Sequence, residues 1–273
     1  MDEILRDLSA SAVTAAIDAN LSASRSIFGC LPGAEFHHDP DSTWYVTNVP
    51  SAVFNGVCFL LESPEAVDAR IDRILAHFKM REVPMRWLIG PTTRPADLGK
   101  HLEVHGLHYA GRWLDMAADL LGLNEHLPVP PDLTIEEVRA EETLKYWCRT
   151  CAAGYQWPDV VADAFFEVFA GQGFGPQRLW RHYIGWFKGE AVATSSLFVG
   201  AGVAGIYWVA TLPAARGQGA GTAIMLAPLR VARDMGYRLA ILQATQIGEG
   251  VYRRVGFHDY CAVSLYSMET MTQ

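Results

Sequence analysis

The sequence has no uninterrupted apolar run of the roughly 18 residues that a membrane-spanning helix needs. Basic residues are also in the minority, since 22 Lys and Arg stand against 30 Asp and Glu, which gives a formal net charge of −8. This charge argues against general binding to nucleic acid or to an anionic membrane surface. The first residues are acidic where a signal peptide would be basic, so we expect a cytoplasmic protein with no membrane or nucleic-acid partner.

Cysteine is scarce and odd in number, with five in the chain, which is typical of a reducing compartment. Cys148 and Cys151 form a Cys-x-x-Cys pair inside a helical pattern, but the chain has no second pair to complete a zinc site. We therefore interpret both as buried on a helix face. His37 and His38 fall in a predicted polar loop with no third ligand nearby, so we predict no metal site.

The 273 residues are enough for two domains, and half of them are hydrophobic, so the chain can build cores and is not disordered. A stretch containing Pro128, Pro130 and Pro131 predicts a short, stiff, extended connector over residues 123–132. We therefore predict one domain over residues 1–127 and a second over residues 128–273.

Three glycines at alternate positions, Gly217, Gly219 and Gly221, lie between a predicted strand that ends near Thr211 and a predicted helix over residues 222–235. Such a loop binds anions, because its backbone N–H groups are accessible and the helix dipole favours negative charge. No lysine follows the glycines, and position 222 is Thr, so the loop fits neither a P-loop nor a Rossmann fingerprint.

A second motif follows at residues 239–257, where a short apolar strand precedes a short helix that carries Tyr252 and ends at Gly256. This motif and the preceding Arg216-x-x-Gly219-x-Gly221 together resemble the GNAT superfamily of acetyl-CoA-dependent N-acetyltransferases. The resemblance covers residues 131–268. The chain departs from the family at Thr245 and Gly248, where Asn and Ala are common, and this leaves the polar contacts around the thioester open.

The resemblance implies an α+β fold, in which a mostly antiparallel, centrally splayed sheet is flanked by helices. It also implies acetyl-CoA as co-substrate, without a metal, bound by the strand end, the glycine loop and the helix start. The residues at those positions are Val209, Ala210, Thr211, Arg216, Gly217, Gln218, Gly219, Ala220, Gly221 and Thr222.

In such enzymes the strand at Val209 and Thr211 pairs with the pantetheine amides, and a backbone N–H near Val209 polarises the thioester carbonyl. Tyr252 matches the acid that protonates the departing thiolate, and the alternative is an ordinary core tyrosine. The general base stays open. Asp159, His182 and Glu249 are candidates, and so are a water relay and an amine that arrives neutral.

The first half of the chain repeats the second, because Leu98, Leu102 and Gly106 match Gly248, Tyr252 and Gly256 exactly 150 residues later. The order of predicted strands and helices is shared as well, although chance similarity of one helix pair is an alternative. The chain then resembles a tandem GNAT protein with a degenerate first copy. Where that copy needs glycines it has the sequence Leu-Glu-Ser-Pro-Glu-Ala at residues 61–66, so we expect no cofactor there.

We therefore predict a monomeric or homodimeric N-acetyltransferase that moves an acetyl group directly to a small-molecule amine in a ternary complex. No Ser/His or Cys/His arrangement indicates a covalent intermediate. Aromatic residues are frequent over residues 147–174, and they favour a small, partly apolar acceptor. The alternatives are a longer acyl donor and a sensor that binds acyl-CoA without turnover.

Overall fold

The computed structural model describes residues 3–268, and the chain forms two compact units. The first unit combines the chain up to Asn20 with Asp115–Tyr260, and the second combines Leu21–Leu114 with the chain from Cys261 onward. Each unit therefore contains two stretches of sequence. The units do not coincide with residues 1–127 and 128–273, whose division as domains stays a prediction.

The helices and strands are numbered here in chain order. The helices are α1 (Ala10–Arg25), α2 (Val67–Arg81), α3 (Leu98–Val104), α4 (Glu141–Tyr155), α5 (Asp159–Ala170), α6 (Ala220–Asp234) and α7 (Glu249–Val255). The strands are β1 (Glu35–Asp39), β2 (Ser42–Val46), β3 (Gly56–Leu60), β4 (Met85–Ile89), β5 (His108–Asp119), β6 (Leu133–Glu137), β7 (Trp180–Phe187), β8 (Glu190–Gly200), β9 (Val203–Thr211), β10 (Leu239–Ala244) and β11 (His258–Met268). Within residues 3–268, every helix is too short or too polar to span a bilayer.

The first unit is built on strands in the order β5-β10-β9-β8-β7-β6. Apolar runs over residues 181–187, 192–199 and 203–211, with glycine turns between them, predict an antiparallel meander. Strands β6, β7, β8 and β9 pair antiparallel in succession, in agreement with this prediction. Helix α6 then leads into β10, which pairs parallel with β9 through Ala240 with Ala204 and Ile241 with Gly205. The paired residues of these two parallel strands lie early in β9, so the ends of β9 and β10 are splayed.

Helix α1 contributes to the core of the first unit through Val13 and Ile17, which pack with Val203, Leu239 and Ile241. The spacing of apolar residues from Ile4 to Leu21 predicts a helix over residues 2–22. That prediction starts too early, because α1 begins at Ala10 and residues 3–7 are not helical.

The apolar residues before α1 pack as an extended segment, and this explains the wrong helix start. The backbone N–H of Leu5 donates to the Gly202 carbonyl at 2.9 Å. Gly202 leaves room for this segment, since a Cβ there would lie 2.5 Å from the carbonyl oxygen of Glu3.

The second unit has strands in the order β1-β2-β3-β4-β11. Strands β3 and β4 pair parallel through Gly56 with Arg86 and Val57 with Trp87. Helix α2 connects them and buries the predicted apolar stripe. Its buried residues are Val67, Ile71, Ile74, Leu75 and Phe78.

The two halves of the chain share one order of elements. In the first half it is β1-β2-β3-α2-β4-α3-β5, and in the second it is β7-β8-β9-α6-β10-α7-β11. The crossover helix joins a parallel strand pair in each case. The predicted repetition of strand, helix, strand, helix, strand is therefore present in the structure, and the mixed α+β fold is confirmed.

Three local predictions were wrong. His37 and His38 lie in β1, where His37 stacks on Trp44 at 3.7 Å between ring centroids and His38 hydrogen-bonds with Thr43 at 2.8 Å. The glycine at position 111 predicts two short strands over residues 109–120, but β5 continues through Gly111, whose φ is +122°. Residues 260–263 and 265–268 are likewise predicted as two strands, but β11 is continuous.

The cysteines of α4 and the possible metal ligands were also considered in the sequence. Cys148 and Cys151 are buried on α4, as predicted, and burial raises the pKa of both thiols. Among residues 3–268, no group of three or more His, Cys, Asp or Glu side chains is placed to hold a metal ion.

Candidate functional site

A cleft of about 510 Å³ opens in the first unit, at the splayed ends of β9 and β10. Its walls come from the end of α4, the end of β9, the glycine loop, the first turn of α6, the end of β10 and helix α7. The residues that line it are Gly154, Tyr155, Gln156, Val209, Ala210, Thr211, Arg216, Gly217, Gly219, Gly221, Thr222, Gln243, Thr245, Ile247, Gly248, Val251, Tyr252 and Arg254.

The cleft contains all the predicted cofactor residues except two, and those two face elsewhere. The Gln218 side chain donates from Nε2 to the Ala214 carbonyl at 3.0 Å. Ala220 is 3% exposed and belongs to the core of the unit. Eight of the ten residues thus lie together at one cleft, and side chains within the loop alternate between the cleft and its support.

The glycine loop ends at the N-terminus of α6, which begins at Ala220. Gly219 occupies the N-cap position with φ +89°, and no side chain caps the helix in the described structure. The N–H groups of Thr222 and Ala223 bond back to the Gly219 carbonyl at 3.1 and 3.0 Å. The helix thus presents its uncapped first turn and its positive dipole end to the cleft, which is an arrangement suited to an anion.

Gly219 has a second reason to be glycine that was not predicted. A Cβ at this position would lie 2.8 Å from the carbonyl oxygen of Pro128 and 3.3 Å from a ring carbon of Pro130. The proline-rich connector therefore passes directly over the loop. Gly221 differs, because its φ is unremarkable and a Cβ there would meet only Thr211 Oγ1 at 3.4 Å.

Arg216 supports the shape of the cleft as well as its charge. Its Nε donates to the Thr211 carbonyl at 3.0 Å, and its NH2 donates to the Gly154 carbonyl at 2.9 Å. One guanidinium thus fixes the end of β9 to the end of α4. This bracing role could not be read from the motif, because Gly154 lies 62 residues away in sequence.

Strand β9 carries a β-bulge beside the cleft. Thr194 pairs with Ala210 and Ser196 with Tyr207, so Trp208 and Val209 together oppose the single residue between them on β8. Trp208 has φ +51°, which is unusual for a bulky residue, and its carbonyl accepts from Thr194 Oγ1 at 3.0 Å. A bulge interrupts the ladder and re-aims the backbone that follows it, here at Val209.

Tyr252, the predicted acid, lies on α7, is 8% exposed and lines the cleft. Burial raises the pKa of its phenol, so the proton stays on the oxygen across the whole neutral range. Tyr155 is a second tyrosine in the lining, and burial also raises its pKa, with the nearby Tyr252 adding to the effect. Both phenols therefore stay protonated and can donate a hydrogen bond, whereas the raised pKa makes each a weaker acid than free tyrosine.

The charged side chains that line the cleft are all positive. Its lining contains Arg216 and Arg254 but no Asp, Glu or His. The three candidate bases lie outside that lining. Glu249 pairs with Arg253 at 3.1 Å, and Asp159 is exposed at the start of α5.

His182, the third candidate base, is buried. Its Nδ1 hydrogen-bonds with Ser196 Oγ at 2.8 Å, and burial lowers its pKa to about 3.

Several lining residues were not predicted from the sequence. Tyr155 and Gln156 come from the end of α4, whose place beside β9 is a matter of tertiary packing. Gln243 comes from β10, and its Nε2 donates to the buried carboxylate of Asp115 at 3.1 Å. Arg254 had a sequence signal, since it is the second of two arginines that follow Tyr252.

Comparison with known proteins relates this site to a known family. The sequence profile of the Acetyltransferase (GNAT) family matches residues 145–257, which include every residue that lines the cleft. No curated protein sequence matches the chain. Residues 145–257 are therefore similar to the GNAT acetyltransferases, in agreement with the resemblance of the motifs.

Solved structures extend the similarity in fold to the whole chain. A GCN5-related N-acetyltransferase from Kribbella flavida matches with a TM-score of 0.67 and 19% identity, over 91% of this chain and 95% of that one. One from Sphaerobacter thermophilus matches with a TM-score of 0.63 and 16% identity, over 95% and 92%. A tandem GNAT protein from the clavulanic acid biosynthesis pathway matches with a TM-score of 0.58 and 14% identity, over 100% and 98%. The chain thus has the fold of a tandem GNAT protein.

Proposed function

We propose that the protein transfers an acetyl group from acetyl-CoA to the amine of a small molecule. The observation that carries this proposal is the charge of the cleft. The chain as a whole has a formal charge of −8, yet the cleft lining has two arginines and no carboxylate. A cleft with this positive lining attracts a polyanionic ligand such as CoA, which the rest of the acidic surface repels.

The donors around the cleft also fit the phosphates of CoA. The uncapped start of α6 and the glycines before it offer backbone N–H groups, which suit a pyrophosphate. The splayed strands β9 and β10 leave room beside Val209, Ala210 and Thr211, where backbone pairing with a pantetheine arm is expected. An acyl-CoA bound in this way supplies an activated acyl group as a thioester.

The residues of the chain then have three tasks. The bulged backbone at Val209 orients an N–H toward the carbonyl that is attacked. Tyr252 holds a proton that its raised pKa keeps in place until a thiolate needs it. The amine nitrogen forms the new bond to the acyl carbon as the carbon–sulfur bond breaks. The lining contains no carboxylate or imidazole, so the amine proton leaves through water or is lost before binding.

Tyr155, which lines the cleft, belongs to a group of aromatic rings whose other members lie behind the lining. Tyr155 stacks on Trp157 at 4.2 Å between centroids with 9° between the planes. Trp157 meets Trp208 edge-on at 6.2 Å, and Trp208 meets Phe165 at 4.9 Å. Trp208 directly precedes Val209, so this apolar wall adjoins the expected thioester position. It favours a small, partly apolar amine over a long charged peptide.

A sensor that binds acyl-CoA without turnover is the second candidate function, and the absence of a base from the cleft lining favours it. A transferase that uses a longer acyl-CoA is a variant of the first candidate function. A cytoplasmic location and a monomeric or homodimeric state remain predictions.

Calorimetry with CoA and acetyl-CoA, followed by release of free thiol in the presence of a panel of primary amines, tests the proposal. Micromolar binding with amine-dependent thiol release supports the transferase. Binding without release from any amine, in a panel of aliphatic, aromatic and polycationic acceptors, supports the sensor. A chain that binds neither form of CoA contradicts both functions.

A further inference from the structure

Helix α7 carries two consecutive arginines that have opposite surroundings. Arg253 donates to both carboxylate oxygens of Asp259, at 3.2 and 2.8 Å, and its NH2 lies 3.1 Å from a Glu249 oxygen. Arg254 lines the cleft instead. Its guanidinium has no hydrogen bond or ion pair with any other residue between positions 3 and 268. One of the two charges is thus neutralised within the fold, and the other is left for a ligand.

The other arginine of the lining is already engaged. Arg216 directs two of its three nitrogens at the backbone carbonyls of Thr211 and Gly154. Carbonyl partners fix the guanidinium in place and leave it fewer free donors. Arg254 keeps its full set of five N–H donors, in the planar fork that matches two oxygens of a phosphate.

We propose that Arg254 binds a phosphate of the nucleotide end of CoA, as an anion site separate from the glycine loop. This inference rests on the proposed function. The loop and the start of α6 supply backbone donors for one phosphate group. Arg254 projects from α7, a different element, and CoA carries a further phosphate on its ribose besides the pyrophosphate. The two elements thus provide two anion sites for a ligand with two separate phosphate groups.

The test compares Arg254→Met with Arg253→Met. Methionine keeps much of the apolar stem and removes the charge, and the second variant is a matched control on the same helix. CoA and dephospho-CoA are titrated into wild type and both variants by calorimetry, at about 20 mM and about 300 mM salt. Thermal unfolding of each variant shows that the fold is retained.

We expect Arg254→Met to weaken CoA binding by about 5- to 20-fold at low salt, since a charged hydrogen bond at an exposed site is partly screened. The difference in CoA affinity between wild type and Arg254→Met should be smaller at high salt, because salt screens the attraction between the Arg254 charge and the phosphate. Arg253→Met binds CoA as the wild type does. If dephospho-CoA binds wild type and Arg254→Met equally, the contact is to the ribose phosphate. If the loss is as large with dephospho-CoA, the contact is to the pyrophosphate, and the inference of a separate anion site is overturned.

Equal CoA affinity of Arg254→Met and wild type overturns the inference, and so does an equal loss in Arg253→Met. Either result leaves the proposed function intact, because the wild type still binds CoA. A wild type that binds no CoA at all overturns the inference together with the function on which it rests.

Discussion

Three glycines in one loop allow the stability of the fold to be separated from ligand binding. Gly217, Gly219 and Gly221 lie within five residues of one another and all line the cleft. Their surroundings differ sharply, however. Alanine at each position in turn adds the same methyl group to three different environments.

Gly219→Ala should destabilise the first unit. Its φ of +89° is costly for any residue with a Cβ, and the methyl would lie 2.8 Å from the Pro128 carbonyl oxygen, which belongs to backbone and cannot rotate away. The left-handed conformation costs about 1 kcal/mol and the steric contact about 1–3 kcal/mol. The sum of roughly 2–4 kcal/mol corresponds to a fall in Tm of about 5 to 15 °C.

Gly221→Ala should have the opposite pattern. Its methyl meets only Thr211 Oγ1, at an ordinary contact distance of 3.4 Å, and alanine is favoured over glycine inside a helix by up to about 1 kcal/mol. The Tm should therefore stay the same or rise slightly. The methyl occupies the cleft beside the first turn of α6, however. Loss of one N–H contact to a phosphate costs about 1.5–3 kcal/mol, which is roughly 10- to 150-fold in Kd.

Gly217→Ala completes the series, because its φ is +75° but a Cβ there meets nothing within 4 Å. The free energy of unfolding of Gly217→Ala should therefore fall by only about 1 kcal/mol, which is the cost of this backbone conformation for alanine. Thermal unfolding without ligand and calorimetry with CoA measure the two effects separately. The reasoning fails if Gly219→Ala unfolds at the temperature of the wild type, or if Gly221→Ala binds CoA with unchanged affinity.

Two further predictions concern protons. Tyr252→Phe should leave acetyl-CoA affinity almost unchanged and slow the single-turnover rate by about 10²- to 10⁴-fold, because only the proton donor is removed; a wild-type rate, with Tyr155→Phe as the comparison, would show that Tyr252 only packs. His182, whose pKa burial lowers to about 3, takes up its proton more readily in the unfolded chain. As the pH falls from 6.5 to 3, the free energy of unfolding should therefore decrease by up to about 1.4 kcal/mol for each pH unit. Urea unfolding at pH 7.5 and 5.5 should therefore show a smaller change in the free energy of unfolding for His182→Gln than for the wild type, and an equal change in both would refute the role of His182.

Much of the fold was predictable because its signals are local. The alternation of short apolar strands with glycine turns defines β7, β8 and β9, and the stripe from Val67 to Phe78 defines α2. The failures also have physical causes. Ile4 and Leu5 have the spacing of a helix, but residues 3–7 lie extended and Leu5 bonds to the Gly202 backbone. Nothing in the local sequence distinguishes that arrangement from an amphipathic helix.

The candidate site was predictable to the extent that it is continuous in sequence. The glycine loop and Tyr252 could be located because each belongs to a motif with fixed spacing. Tyr155, Gln156 and Gln243 could not, since they reach the cleft through packing of α4 and β10 against β9. The bracing contact from Arg216 to Gly154 belongs to the same class, as does the close approach of Pro128 to Gly219.

The two halves of the chain show what the fold contributes and what the loop contributes. Both have a parallel strand pair joined by a crossover helix. The helix start is also bonded alike in both, since Ala66 and Val67 donate to the Ser63 carbonyl at 3.2 and 3.1 Å, as Thr222 and Ala223 donate to the Gly219 carbonyl. The difference lies in the residues of the loop between β3 and α2 in the second unit.

That loop also carries Glu62 and Glu65, whose charges repel a phosphate, and it has no glycine that would let one approach. The corresponding loop in the first unit has three glycines, an uncapped helix start and no carboxylate at the cleft. One order of elements thus accommodates loops with opposite affinity for anions. The proposed binding of CoA therefore rests on the loop of residues 216–221 and on the arginines of the cleft lining, and the surrounding fold positions them.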